Sequence, residues 1–288
     1  MPCLRQKSRE SCLLRKSILI MIFSLIYLIL LVGGFGCLMY FAELYTKWYF
    51  YFIPLVGIPV GYVILFGLTL LFFVIVAKFI NIDKDVKKPS KIARFIVNQM
   101  NHLTIVLSLS RVKYKNFEGF NKKQPSMIIY NHISNFDPML IMNKVHRLIC
   151  ITKYGNKKIP GVGGMIHKAG YITIDREHND EGIKAINKAI EYVENGVASI
   201  CVAPEGTRSK DLKLLPFHPG TFNIAKRSGV PIVCVLVKNT NMIHKNFPKK
   251  ITKCECNIIY TMKSEEYAEL STVEIASRLH DLYAQYIG

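Results

Sequence analysis

Two long apolar stretches set the N-terminal part of the chain apart from the rest. No charged residue interrupts Ser17 to Ala42, and none interrupts Trp48 to Ala77. Each stretch exceeds the roughly 20 apolar residues with which a helix crosses a bilayer. Beyond about Lys91 the pattern changes to short apolar runs alternating with helical stretches, which predicts an α/β domain with a sheet flanked by helices. The predicted strands are Met127 to Tyr130, Leu148 to Thr152, Tyr171 to Ile174, Ala198 to Val202, Ile232 to Val237 and Cys256 to Thr261. Predicted helices fall between and after them, at Pro138 to Val145, Asp180 to Glu194, Thr221 to Lys226 and Val273 to Ala284. The segment Ile92 to Leu109 is apolar but broken by Arg94, Asn98, Asn101 and His102. Its periodicity fits an interfacial helix and a core helix equally well. The chain contains no internal repeat and no low-complexity tract.

The first apolar stretch is too long for a secretory signal and lacks a small-residue cleavage site, so it reads as a retained anchor. Arg5, Lys7, Arg9, Arg15 and Lys16 precede it, while Lys78, Lys84, Lys87, Lys88, Lys91 and Arg94 follow the second stretch. By the positive-inside rule both flanks are cytoplasmic. The link Glu43 to Lys47 then faces the other side, or the pair forms a re-entrant hairpin, in which Pro54, Gly57, Pro59 and Gly61 break the second helix near its start. The predicted organisation is a basic cytoplasmic tail (1–16), a two-helix membrane hairpin (17–77), a basic juxtamembrane linker (78–91) and an α/β domain (92–288) facing the cytoplasm.

The formal net charge is +18. No zinc-finger spacing, RNA-recognition signature or isolated basic helix accompanies it, which argues against nucleic acid as the partner. Anionic headgroups account for it better, each juxtamembrane lysine being worth about 1 kcal/mol near an acidic leaflet. A polyanionic acyl carrier is attracted by the same charge. The eight cysteines are scattered. Cys254 and Cys256 alternate along a predicted strand rather than forming a metal-binding turn, and a cytoplasmic domain does not favour disulfides. Cys201 and Cys234 lie in apolar runs as packing residues. No metal or bound cofactor is expected.

Candidate chemistry begins with His132 and Asp137, in the run from Tyr130 to Pro138. A histidine titrates near neutrality, and a nearby carboxylate can orient its ring and stabilise the imidazolium, which suits activation of a hydroxyl. Residues five apart on one helix point about 140° away from each other. His132 must therefore precede the helix, on a turn between the strand ending at Tyr130 and a helix capped by Ser134. Ser134-Asn135-Phe136-Asp137 is also a capping-box pattern, so a purely structural role for Asp137 stands beside the catalytic one. Further motifs sit at strand ends, where loops of α/β domains carry ligands. Gly170 to Arg176 delivers Asp175 and Arg176 to the end of one strand. Pro204-Glu205-Gly206-Thr207-Arg208-Ser209 follows another. Its glycine permits close backbone approach, its hydroxyls can bond oxyanions, and Arg208 can grip a phosphate bidentately. Phe217-His218-Pro219-Gly220 and Val230-Pro231-Ile232-Val233 come next.

The order and spacing of these blocks over about Asn101 to Thr240 resemble the glycerolipid acyltransferase family that includes lysophosphatidate acyltransferases. The resemblance implies an α/β acyltransferase fold and transfer of a fatty acyl chain from a thioester of coenzyme A or acyl carrier protein to a lysophospholipid hydroxyl. Lysophosphatidate is the expected acceptor, with another lysophospholipid or glycerol 3-phosphate as alternatives. His132 is then the general base and Asp137 its orienter, with Asn131, Ser134, Asp175 and Arg176 in support. Glu205, Gly206, Thr207 and Arg208 are implied to bind the acceptor phosphate, helped by Lys153. The chain departs from the family pattern at His218 and Pro219, where a lysine is often found, and at Cys234, where a second proline is, which bears on substrate preference. Ser134 is not expected to act as a nucleophile, because no Gly-x-Ser-x-Gly elbow is present. A membrane protein that binds anionic lipid without turnover is the alternative of a different class; the presence of His132, Asp137, Glu205 and Arg208 together favours the enzyme.

Overall fold

Residues 22–41, 52–77, 79–82, 84–86, 88–174 and 179–287 are described by a computed structural model. The predicted basic tail, the link Glu43 to Lys47 and the pair Asp175 and Arg176 lie outside these residues.

The domain is organised by a seven-stranded sheet. In chain order its strands are β1 (Ser110–Lys115), β2 (Met127–Tyr130), β3 (Leu148–Lys153), β4 (Ile172–Ile174), β5 (Ser199–Val202), β6 (Ile232–Lys238) and β7 (Thr252–Met262). Across the sheet they run β1-β7-β6-β2-β5-β3-β4. All neighbours are parallel except β6 and β7, whose antiparallel register carries an irregularity between Cys234 and Val235. The central strands β2 and β5 are buried along their whole length, as expected of parallel strands covered on both faces.

Period-two alternation divides their side chains between two cores. Ile128, Tyr130, Cys201, Val233, Val235 and Val237 point to one face. Met127, Ile129, Ile200, Val202, Ile232, Cys234 and Leu236 point to the other. Among the described residues eight α-helices accompany the sheet within the domain: α3 (Lys91–Leu107), α4 (Asp137–Met142), α5 (Val162–Lys168), α6 (Asn179–Glu194), α7 (Asn223–Ser228), α8 (Met242–Asn246), α9 (Ser264–Tyr267) and α10 (Thr272–Ile287). Residues of α3, α4, α5 and α8 fill the first core, and those of α6, α7, α9 and α10 the second. Helix α3 is thus a core helix: Ala93, Val97 and Ile105 join the first core, which decides between the two sequence readings of this segment. Arg94 is correspondingly buried and donates from Nη1 to the Val197 carbonyl at 3.1 Å, so it does not act as a headgroup cation.

Ahead of the domain, helices α1 (Ile22–Phe41) and α2 (Phe52–Ala77) pack against each other. The expected break at the start of the second helix is absent, and α2 runs without interruption through Pro59. Gly57 and Gly61 serve close approach instead: a Cβ would meet the Phe35 ring at 2.2 Å and the Leu31 side chain at 2.4 Å. Small residues at this spacing let two apolar helices touch backbone to side chain. Among the described residues only α2 holds a stretch long and apolar enough to cross a membrane, Leu55–Val76, and the apolar run of α1, Leu25–Phe41, is shorter.

The linker between α2 and α3 is docked on the domain. The Lys84 carbonyl lies 2.9 Å from His167 Nε2, and the Tyr192 hydroxyl donates to the Val86 carbonyl at 3.2 Å. Ser90 N donates to the Lys168 carbonyl at 2.9 Å. Pro89 lies against Gly170, whose φ of +91° and crowded Cβ position both demand glycine.

Candidate active site

Strands β2 and β5 are parallel neighbours, so the loops after them emerge side by side at the carboxyl edge of the sheet, where open α/β folds hold ligands. Asn131, the first residue beyond β2, is buried and clamps its side-chain amide to β6. Its Nδ2 donates to the Val237 carbonyl at 2.9 Å and its Oδ1 accepts from Val237 N at 2.8 Å. This pair replaces a lost rung of the β ladder with a side chain and sets the angle at which the turn leaves the sheet.

The next residue is His132, whose backbone is held on both sides by the loop after β5. His132 N donates to Glu205 Oε1 at 2.8 Å, and its carbonyl accepts from Ser209 N at 2.8 Å. Its ring stands edge-on to Tyr130 and brings Nδ1 to 2.9 Å from Asp137 Oδ2. The carboxylate of Asp137 is fully buried. Its Oδ2 also accepts from Ile133 N at 2.8 Å and Ser134 N at 2.7 Å, and its Oδ1 accepts from the Thr240 hydroxyl. The bond to Ser134 N is the backward half of a capping box, so Asp137 closes the turn and orients the histidine with one carboxylate. The forward half is missing. Helix α4 is capped by Phe136 without a side-chain bond, and Ser134 Oγ instead accepts from Phe136 N at 3.3 Å, which corrects the expectation of a Ser134 cap.

A carboxylate can only accept, so the contact to Nδ1 selects the tautomer with the proton on that nitrogen. Nε2 then carries the lone pair, and the ring is equipped to accept a proton from a hydroxyl.

Glu205 turns its carboxylate to the backbone of the site. It is buried, and its two oxygens accept from His132 N and, at 3.0 Å, from Leu215 N. Burial pushes its carboxyl above the usual glutamate value, while these two N–H donors pull the other way. Gly206 adopts φ +68°, and a Cβ there would meet the His218 ring at 2.9 Å. Thr207 and Arg208 are exposed. Lys153 stands exposed at the end of β3, on the same carboxyl edge. The turn after β2 and the loop after β5 are therefore brought together by direct hydrogen bonds, whereas Lys153 shares only the edge of the sheet with them.

Thr240 and Ser209 went unrecognised in the sequence as members of this network. Thr240 lies two residues beyond β6 with no motif around it; only the adjacency of β6 to β2 discloses it. Among the described residues no group of three His, Cys, Asp or Glu side chains could hold a metal ion, and the six described cysteines are free.

A family model described as Acyltransferase matches residues 111–238, from within β1 to the last residue of β6. The chain is 34% identical over 125 residues to the 1-acyl-sn-glycerol-3-phosphate acyltransferase of Saccharomyces cerevisiae, covering 42% of this chain and 41% of that protein. It is 31% identical over 172 residues to the enzyme of the same name from Haemophilus influenzae, covering 58% of this chain and 71% of that protein. The chain thus spans less than two thirds of the length of some curated relatives it matches. The crystal structure of the 1-acyl-sn-glycerophosphate acyltransferase of Thermotoga maritima superposes with a TM-score of 0.57 at 25% identity, over 83% of this chain and 92% of that one. This chain belongs to the glycerolipid acyltransferase family that contains the lysophosphatidate acyltransferases.

Proposed function

We propose that the protein transfers a fatty acyl group from an acyl thioester to the free hydroxyl of lysophosphatidate, forming phosphatidate in phospholipid synthesis. The observation that carries this reading is the contact of His132 Nδ1 with a buried, fully hydrogen-bonded Asp137. Nε2 of His132 takes the proton of the acceptor hydroxyl as its oxygen attacks the thioester carbonyl. The tetrahedral oxyanion then collapses, breaking the carbon–sulfur bond, and the proton on His132 passes to the departing thiolate. Asp137 stabilises the imidazolium between these steps. No acyl-enzyme and no bound cofactor enter the scheme; the thioester of coenzyme A or acyl carrier protein is the co-substrate.

Arg208 and Lys153 supply the positive charge for the acceptor phosphate, with Thr207 as a hydroxyl donor and Gly206 permitting the turn that presents them. Glu205 acts through the backbone: it ties the phosphate loop to His132 and does not itself touch phosphate, because like charges repel. Relatives that carry the name of this activity support lysophosphatidate over other acceptors.

Helix α2 embeds in the membrane together with α1, and the basic residues of the two flanks support a cytoplasmic orientation of the domain. Acyl transfer to lysophosphatidate, glycerol 3-phosphate and other lysophospholipids, from both donor types in turn, tests the reading. Turnover with lysophosphatidate that vanishes in His132→Ala is the expected result. Binding to anionic vesicles without transfer to any acceptor would favour a lipid-binding protein instead.

A further inference from the structure

The segment between β3 and α5 exposes apolar side chains on a loop that hydrogen bonds hold rigid. Ile159 is 45% exposed and Val162 41%, with exposed Pro160 between them. The loop does not owe this exposure to slackness. Asn156 Nδ2 donates to the Thr152 hydroxyl, Ile159 N donates to the Asn156 carbonyl at 3.3 Å, and Gly163 N donates to the Ile159 carbonyl at 2.7 Å. A Cβ on Gly163 would come within 2.0 Å of the Lys157 carbonyl oxygen, so glycine is required to close the turn.

The tip is also fixed in height relative to α2. Gly161, at φ +74°, packs so closely on that helix that a Cβ would meet Val74 N at 3.0 Å and Val74 Cα at 3.2 Å. Val74 stands three residues before the end of α2, about 4.5 Å along the axis at 1.5 Å per residue. If α2 is embedded as proposed above, Gly161 lies below the level at which that helix leaves the apolar layer. The neighbouring side chains then occupy the boundary between headgroups and acyl chains, a depth of about 5–10 Å that interfacial elements prefer. The chemistry of the residues that lead into the tip fits that depth. The ammonium groups of Lys157 and Lys158 lie 5.9 and 5.2 Å from the Tyr154 ring centroid, a basic and aromatic collar of the kind found at headgroup level.

We infer that the Ile159–Val162 loop is a second membrane-binding element, seated in the leaflet beside α2 and partnered by anionic phospholipid. This inference rests on the reading of α2 as a membrane helix. It has a consequence for the site, because the loop begins directly after Lys153, the lysine proposed to meet the acceptor phosphate. An acceptor leaving the leaflet beside the loop tip therefore needs to rise only along one short segment to reach the carboxyl edge of the sheet.

The test uses the full chain in vesicles of phosphatidylcholine and phosphatidylglycerol with brominated acyl chains, which quench nearby tryptophan. The chain has a single tryptophan, so Trp48→Phe supplies a silent background for Ile159→Trp, Leu68→Trp in α2, and Val273→Trp on α10 across the sheet. Acyl transfer in detergent checks that each variant is folded. The expected result is strong quenching at 68, clear quenching with a blue-shifted spectrum at 159, and none at 273. Quenching at 68 but not at 159, or equal quenching at 159 and 273, overturns the loop inference alone. No quenching at either 68 or 159 overturns the membrane reading of α2 as well.

Discussion

The turn carrying His132 and the arm carrying Arg208 meet at the same edge of the sheet and are built in opposite ways. Around Asp137 a buried carboxylate accepts from two backbone N–H groups, a threonine hydroxyl and the histidine ring. On the arm, Thr207 and Arg208 stand exposed, and the structure gives Arg208 no hydrogen-bond partner among the described residues. The first region turns its polar groups on itself and fixes a geometry; the second leaves them exposed, as the proposed phosphate contact requires. A proton-transfer group gains from being held in one tautomer and one orientation. A phosphate-binding cation gains from having no protein partner to give up. Glu205 joins the two regions, since its carboxylate bonds the His132 backbone while its own chain leads into the arm.

Substitutions can separate these two designs. The largest effect is expected for His132→Ala, with acyl transfer reduced by about 10²- to 10⁴-fold and thermal stability changed by no more than about 1 kcal/mol. A comparable loss of both would mean that the histidine is a packing residue. Asp137→Asn is expected to lower kcat by about 100-fold. It should also destabilise the fold by about 1–3 kcal/mol, because a neutral amide oxygen accepts more weakly than the charged carboxylate and the amide nitrogen cannot accept from the Thr240 hydroxyl. Denaturant unfolding measured beside activity tells the two roles of Asp137 apart.

On the exposed arm, Arg208→Ala should raise KM for phosphate-bearing acceptors by about tenfold, leaving kcat nearly unchanged. Its stability should stay within about 0.5 kcal/mol of the parent. An equal loss with phosphate-free analogues would remove the contrast between the regions. The smallest effect is expected for Thr240→Val, which deletes one donor to Asp137 without changing the shape of the side chain. A loss of about 1 kcal/mol of stability and a drop of several-fold in kcat would place Thr240 with the ordered region.

Much of this was legible in the chain because it depends on local pattern. The six strands from β2 to β7 follow from apolar runs bounded by turns, although β7 extends from Thr252 to Met262 and so begins before its predicted start. The missed strand, β1, has only Val112 and Tyr114 as apolar residues among Arg111, Lys113 and Lys115. An edge strand needs little more than that, and its lysines discourage further pairing. Helices α5, α8 and α9 were missed because seven, five and four residues are too few to show a period. The glycines of α2 were misread as breakers because their reason is a partner helix, which no local window contains.

What the sequence by itself determined is the α/β class, the apolar N-terminal segment and the turn on which His132 precedes Asp137. These rest on periodicity and spacing within a few residues. Only the tertiary structure decided that Asp137 bonds Thr240 as well as His132, that Glu205 anchors the His132 backbone, and that Gly161 meets α2. The contacts of Thr240, Glu205 and Gly161 join residues far apart along the chain; the order of the strands brings the first two to the turn, and the packing of the domain on α2 makes the third.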